Sequence, residues 1–442
     1  AQNSLVDSNP FSKDLDKFSW SKVHTYAFIA FSAGFFLEAY IFGMASIATG
    51  WVSIPKFLTS VLLSWAPLWL IIGIIVTGPL SDKLGRKTMF YLTMALYGVG
   101  AIGLMFSYTY LMLLVFLAMM LFSAGGEMNT IMVATHEIMP RKHRSKAFFL
   151  ELNFINIGGF VLGLIGYLVQ NQSVLFQRVM IGATVLIVLA ILVYTRINLP
   201  ESVRWLEKQG RFKDAEREIR KYFNDVKVIS QDELRPKVRV PALPMWFKLM
   251  VVILIAAANT IGYGLMTYVL GPYYFSSQTA LIILVANAAE MAVGFVIGLL
   301  ADVLSRKLLL LVSFLGATGM TFLIMGTIPF WSSSLSLFYS LLVLLNLFVG
   351  VSYLTEDALK SEIWPTLRRG TITAVARFVS IGAYIPTIYL TSNLSITQYT
   401  LFNGLVWAVG TVAAVLWFIK GYETGKGVSV DEISGEAEGA KV

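Results

Sequence analysis

The chain contains no cysteine. It can therefore form no disulfide, bind no metal through thiolates and use no thiol nucleophile. Its three histidines leave little for a metal enzyme, and neither a metal nor any other cofactor is expected. Charge is scarce as well. Only 14% of the 442 residues are charged, against about 25% in a soluble domain. A Gly-x-x-x-x-Gly-Lys loop is missing, which argues against an ATP-driven pump. With no nucleophile, metal or nucleotide motif, an enzyme is not expected. Residues 1–21 are polar and charged, so no cleavable signal is expected there.

What the chain has in excess is apolar surface. It is 57% hydrophobic, with a mean hydropathy of +0.71. A water-soluble protein of this length could not bury so much, so the lipid bilayer is the expected solvent. The net charge of +8 would suit nucleic acid, but the basic residues lie between apolar segments, and a nucleic-acid partner is not expected. About 20 apolar residues span a hydrocarbon core. Twelve such segments are expected, at residues 22–50, 58–80, 88–107, 110–138, 147–170, 176–198, 246–274, 279–301, 307–328, 335–360, 371–392 and 397–420. The expected fold class is all-α integral membrane.

Twelve spans place both termini on one side. The tails and loops of that side hold 31 of the 34 lysines and arginines. Cytoplasmic loops carry the excess of Lys and Arg, so both termini are expected in the cytoplasm, the membrane being the plasma membrane. Residues 199–245 form the one long loop between an N-terminal bundle, 22–198, and a C-terminal bundle, 246–420, with cytoplasmic tails at 1–21 and 421–442. Within the loop, Phe212, Ala215, Ile219 and Tyr222 share one helical face, which predicts an amphipathic surface helix. Phe11, Leu15 and Phe18 suggest a shorter one. A monomer is expected.

The two halves echo each other. Gly78-Pro79-Leu80-Ser81-Asp82-Lys83-Leu84-Gly85-Arg86-Lys87 returns as Gly298-Leu299-Leu300-Ala301-Asp302-Val303-Leu304-Ser305-Arg306-Lys307. Glu137-Ile138-Met139-Pro140 with Arg144 returns as Glu362-Ile363-Trp364-Pro365 with Arg369. Both echoes have an offset of about half the chain. Such a repeat in a membrane protein marks a transporter built from two related six-helix bundles.

The Gly-x-x-x-Asp-x-x-x-Arg-Lys loop, present twice, resembles the signature of the major facilitator superfamily. Pro200-Glu201-Ser202-Val203-Arg204-Trp205-Leu206 and Glu423-Thr424-Gly425-Lys426-Gly427-Val428-Ser429 resemble elements of its sugar porters and related organic-solute carriers. The resemblance implies a twelve-helix fold, a central cavity and alternating access. It also implies a cytoplasmic gate of charged pairs, onto which Gly78, Asp82, Arg86, Glu137, Arg144, Glu201, Arg204, Asp302, Arg306, Glu362 and Arg369 map. Departures are visible too. Ala258 and Asn259 stand where sugar porters carry paired glutamines, and Asp357 where they carry a Trp. Gly125-Gly126-Glu127 and Glu38-Ala39-Tyr40-Ile41-Phe42 resemble patterns of proton-coupled metabolite symporters, with Ile41 in place of an Asp and Leu117 near a missing Arg.

Charges inside spans are costly, about 3 kcal/mol on insertion scales, and mark function by default. Glu38 lies near the middle of the first span and Glu127 near that of the fourth; a buried carboxylate can exchange a proton near neutral pH. These two are the expected proton-coupling groups. Tyr40, Asn156, Asn259, Tyr263, Glu290 and Arg377 are the expected solute contacts. Glu356 and Asp357 are expected close enough to the cytoplasmic end to be hydrated, and Tyr273 and Tyr274 in an outer aromatic belt. The expected activity is secondary transport of a small polar organic solute, either a sugar or a metabolite acid, with a proton as second partner. A uniporter, a drug-type proton antiporter and a transporter-like receptor are the alternatives.

Overall fold

The structure is a computed structural model. It describes residues 18–140, 142–223, 243–300, 303–364 and 366–424. Among these residues, twelve helices are long and apolar enough to cross a membrane. They are α1 (Lys22–Ala48), α2 (Lys56–Leu84), α3 (Arg86–Met105), α4 (Tyr110–Ile138), α5 (Arg144–Val169), α6 (Val174–Ile197), α7 (Met245–Tyr274), α8 (Thr279–Leu299), α9 (Arg306–Gly326), α10 (Leu335–Glu362), α11 (Thr366–Leu390) and α12 (Ile396–Lys420). Helix is the required answer for a chain crossing lipid, because it satisfies every backbone polar group within its own segment.

The expected turn after the second span shrinks to one residue. Gly85 has φ of 96° and joins Leu84 of α2 to Arg86 of α3. Only glycine takes that backbone region without strain, so the connection can be this short. Elsewhere glycine sets helix spacing. A Cβ on Gly125 of α4 would strike the Leu70 backbone of α2, and one on Gly73 would strike that of Phe122. The two helices thus meet backbone to backbone. Gly78 makes no such approach: a Cβ there would meet nothing within 4 Å.

Each six-helix bundle has its own apolar core. Tyr40, Tyr97 and Leu117 centre the first; Trp331, Trp407, Trp417 and Tyr384 centre the second. A third cluster joins the bundles on the side of the chain termini. There Phe148, Phe149 and Leu152 of α5 meet Ile297 of α8 and Leu354 and Ala358 of α10. On the same side, the helix Phe212–Tyr222 packs against the end of the first bundle. Its Ala215 is buried and its Tyr222 hydroxyl receives Lys87 Nζ at 3.2 Å. Of the shorter expected surface helix, Phe18 packs on Phe223 with ring centroids 5.4 Å apart, and the rest lies outside the described residues.

On the side away from the termini, hydroxyl pairs tie the bundles together. Ser60 Oγ of α2 meets the Tyr273 hydroxyl of α7 at 2.8 Å, and Ser64 Oγ meets the Tyr389 hydroxyl of α11 at 2.7 Å. Tyr273 therefore works between bundles rather than in an outer belt. One π-helical turn, Leu265–Val269, interrupts α7. Such a widened turn disturbs the regular backbone ladder, and the Tyr268 carbonyl accepts from Ser46 Oγ of α1 at 2.7 Å.

These contacts separate two glycines of similar sequence appearance. Gly125→Ala is expected to destabilise the protein by about 1–3 kcal/mol through overpacking, whereas Gly78→Ala should stay within about 0.5 kcal/mol. Thermal unfolding of the purified protein checks both. Equal effects would remove the close-approach argument.

Candidate functional site

Between the bundles lies a cleft of about 110 Å³. Its walls come from eight helices, and its polar groups from six of them. Glu38 of α1, Asn156 of α5, Tyr263 and Tyr268 of α7, Glu290 of α8, Tyr353, Glu356, Asp357 and Lys360 of α10, and Arg377 and Ser380 of α11 supply the polar groups. Phe42, Leu70, Met128, Leu152, Ile155, Leu354 and Ile381 supply apolar surface. A largely apolar pocket with a few polar groups is the usual form of a small-molecule site.

The charges in this cleft are paired unevenly. Glu38 Oε1 lies 3.4 Å from Arg377 Nη2, an ion pair that joins the first bundle to the second. Lys360 Nζ lies 2.8 Å from Asp357 Oδ1 and 3.3 Å from Glu356 Oε1. All three residues sit on one face of α10, at spacings of three and four. Glu356 and Asp357 are thus buried and share one cation of their own helix, not hydrated at the membrane edge as expected. The signal was present in the sequence as Lys360, three and four residues beyond the two acids. Glu290 has no such partner: both of its carboxylate oxygens are buried without a hydrogen bond. Tyr263, next to it in the cleft, donates its hydroxyl to Asn287 Oδ1 at 2.9 Å.

Of the eight residues expected at the coupling and solute sites, five line the cleft: Glu38, Asn156, Tyr263, Glu290 and Arg377. The other three hold helices together instead. Tyr40 donates from α1 to the Ile181 carbonyl of α6 at 2.8 Å. Asn259 exchanges hydrogen bonds with Ser352 of α10, accepting from its Oγ at 2.7 Å and donating to its carbonyl at 3.3 Å. Glu127 makes two bonds to Arg196 of α6, at 2.6 and 3.0 Å, and accepts from Thr93 Oγ1 at 2.6 Å. The Arg196 guanidinium lies over the Phe90 ring, 4.2 Å from its centroid. A carboxylate committed in this way is a poor proton carrier, so Glu127 is not carried forward in that role. Arg196 lies one residue before the end of α6, where the sequence reads as an ordinary basic helix end, yet its partner is buried. Glu151 of α5 also escaped notice. It is fully buried and accepts from Thr135 Oγ1 at 2.8 Å.

The expected gate residues make bonds that run largely within bundles. Glu201 accepts from the backbone N–H of Arg86 at 2.9 Å and of Lys87 at 3.2 Å, capping the start of α3. Glu423 does the same for α9, accepting from the Arg306 N–H at 2.8 Å and from Ser305 Oγ. Lys87 Nζ donates to the Leu199 carbonyl at 2.7 Å, and Lys307 Nζ to that of Gly421 at 3.0 Å. The repeat is thus visible atom by atom: an acid after the sixth helix of each bundle caps the third. Arg86 pairs with Asp82 at 2.8 Å, Arg306 with Glu362 at 2.8 Å, and Glu137 accepts from Ser202 Oγ at 3.1 Å. Arg144 Nη2 reaches the Met139 carbonyl at 3.4 Å, and Arg204 lies in the helix Val203–Lys208. These contacts lie within bundles, while the Arg306 guanidinium of α9 also lies over the Phe149 ring of α5 in the other bundle, 5.0 Å from its centroid. Asp302 and the Arg369 side chain lie outside the described residues.

The Glu127–Arg196 pair has a direct test. Breaking a buried pair by removing one partner costs about 3–5 kcal/mol, while replacing both partners costs far less. Arg196→Met should therefore lower the thermal midpoint strongly, and Glu127→Gln combined with Arg196→Met should recover much of the loss. A double variant as unstable as the single one would contradict the assignment.

With this geometry in view, the chain was compared with known proteins. It is 25% identical over 396 residues to the glucose transporter GlcP of Staphylococcus epidermidis, covering 83% of this chain and 85% of that protein. It is 27% identical over 423 residues to the putative metabolite transport protein YdjK of Escherichia coli, covering 88% of each. Among solved structures, the proton:xylose symporter XylE bound to 6-bromo-6-deoxy-D-glucose superposes with a TM-score of 0.72 at 16% identity, covering 93% of this chain and 98% of that one. The model of the Major Facilitator Superfamily matches residues 25–385. Twelve membrane-spanning helices in two repeated bundles, a cleft between them and a family match over most of the length lead to one conclusion: the chain belongs to the Major Facilitator Superfamily.

Proposed function

We propose that this protein is a proton-coupled secondary transporter. It moves a small polar organic solute, of the sugar or metabolite class, by alternating access across the plasma membrane, with both termini in the cytoplasm. The observation that carries the reading is the Glu38–Arg377 ion pair, which crosses between the bundles inside the cleft. The similarity to a glucose transporter and to a putative metabolite transport protein supports the solute class. The concentration of Lys and Arg on the termini side supports the orientation.

The proposed chemistry uses two states of one carboxylate. Ionised, Glu38 holds Arg377 and draws α1 toward α11. Protonated, it loses the Coulombic part of that attraction, and the guanidinium turns to a solute carboxylate or hydroxyl. Moving a charge without a partner through the bilayer is costly. The cleft therefore favours two loads, a proton with a solute or neither, which is what couples the fluxes. Ser60–Tyr273 and Ser64–Tyr389 close the side away from the termini in the described state. Hydroxyl pairs of this kind are worth about 1 kcal/mol each, so they can reopen in a cycle.

In proteoliposomes, Glu38→Gln should abolish accumulation driven by a proton gradient and leave solute counterflow largely intact. Normal accumulation by that variant would move the coupling to another acid. Arg377→Ala should reduce binding of a carboxylate solute by roughly 30-fold or more, as for a truncated buried charge pair, and of a neutral sugar by less. Equal losses for both would remove Arg377 from solute contact.

A further inference from the structure

We infer that the cleft holds an ammonium subsite built on Glu290, and hence that the transported solute carries a positively charged nitrogen beside its polar groups. This rests on the reading of the cleft as the solute site and narrows the class of solute.

Four carboxylates line the cleft, Glu38, Glu290, Glu356 and Asp357, against two cations, Lys360 and Arg377. Both cations are engaged, Lys360 with Glu356 and Asp357, and Arg377 with Glu38. Two negative charges are therefore in excess, and Glu290 is the acid of the four with no cation beside it. Its side chain is 1% exposed, and neither oxygen has a hydrogen-bond partner. A buried carboxylate without a counterion is costly, and a ligand cation removes that cost.

The walls beside Glu290 suit such a ligand. Tyr263 and Tyr268 stand edge to face, with centroids 5.5 Å apart and planes at 88°. Tyr353 meets Tyr263 from the other side at 5.3 Å and 77°. The Tyr263 hydroxyl donates to Asn287 at 2.9 Å and lies 3.3 Å from that of Tyr268, and the rings of all three tyrosines line the cleft. Aromatic rings around a carboxylate recognise alkylated ammonium, the rings through their quadrupoles and the carboxylate through charge. A neutral solute would leave Glu290 without a counterion, and a simple anion would meet an excess of negative charge. A second charged group on the solute, a carboxylate, can still address Arg377.

The absence of cysteine makes the test clean. Thr260 lines the cleft and is partly exposed, so Thr260→Cys supplies a single thiol there. The full chain in lipid nanodiscs would be labelled with N-ethylmaleimide in the presence of tetramethylammonium, choline, tetraethylammonium, glucose or benzoate. At least one of the ammonium probes should slow labelling saturably. Adding Glu290→Gln should raise the half-protecting concentration roughly 30-fold or more. If that variant does not fold, Tyr353→Leu should weaken ammonium protection by roughly threefold or more while leaving any glucose protection unchanged. Protection by glucose or benzoate but by no ammonium probe would overturn the subsite and leave the cleft as the solute site. Ammonium protection unaffected by Glu290→Gln would overturn the role of Glu290. Protection by none of the five would overturn both the subsite and the reading of the cleft beneath it.

Discussion

The constraint on which this structure depends is the cost of holding charge between helices in lipid. Each intramembrane acid meets it differently. Glu127 is neutralised inside the first bundle by Arg196, with Thr93 filling a further lone pair. Glu356 and Asp357 share Lys360 on their own helix. Glu38 is neutralised by Arg377 across the bundles, at a longer 3.4 Å. The first two arrangements fasten parts that move together. The third spans parts that, in the proposed cycle, must separate, and only there does neutralisation depend on how the bundles sit.

The rest of the fold makes the bundles stiff and their interface adjustable. Within bundles, contacts are backbone to backbone at Gly73 and Gly125, and charged side chains cap the third helix of each repeat. Between bundles, the named polar contacts are hydroxyl pairs, a hydroxyl and an amide to backbone carbonyls, from Ser46 to Tyr268 at 2.7 Å and from Asn153 to Met291 at 3.1 Å, and one ion pair. Neutral hydrogen bonds are modest in net strength and exchange readily. Two rigid bodies joined by such contacts can rock without either unfolding.

Much of this fold was legible in the sequence because the bilayer leaves few alternatives. A run of about 20 apolar residues has to be a helix there, and a doubled Gly-x-x-x-Asp-x-x-x-Arg-Lys loop exposes the repeat directly. The site was only partly legible. Depth along a span can be counted from the sequence, so Glu38, Glu290 and Arg377 stood out as mid-membrane charges. Facing cannot be counted where a helix is apolar all round: Tyr40 and Asn259 have the right depth but point at neighbouring helices. Partners far apart in sequence were hidden for the same reason. Glu127 and Arg196 are 69 residues apart, and nothing local relates them. The gate motif was legible as charge at the membrane edge, but its partners were not: Glu201 and Glu423, far from it in sequence, reach back to cap α3 and α9.

The central claim is that the protonation state of Glu38 sets how the bundles sit through Arg377. Nitroxide labels at Phe57→Cys on α2 and Leu390→Cys on α11 would report on this, since both positions are exposed and flank the hydroxyl pairs that close the side away from the termini. The measurement is the distribution of label distances by pulsed electron resonance, in nanodiscs, as the pH is lowered. The account predicts that acidification shifts the population toward longer distances, and that Glu38→Gln shows the longer distances at every pH. One distribution, unchanged by pH and by Glu38→Gln, would contradict it.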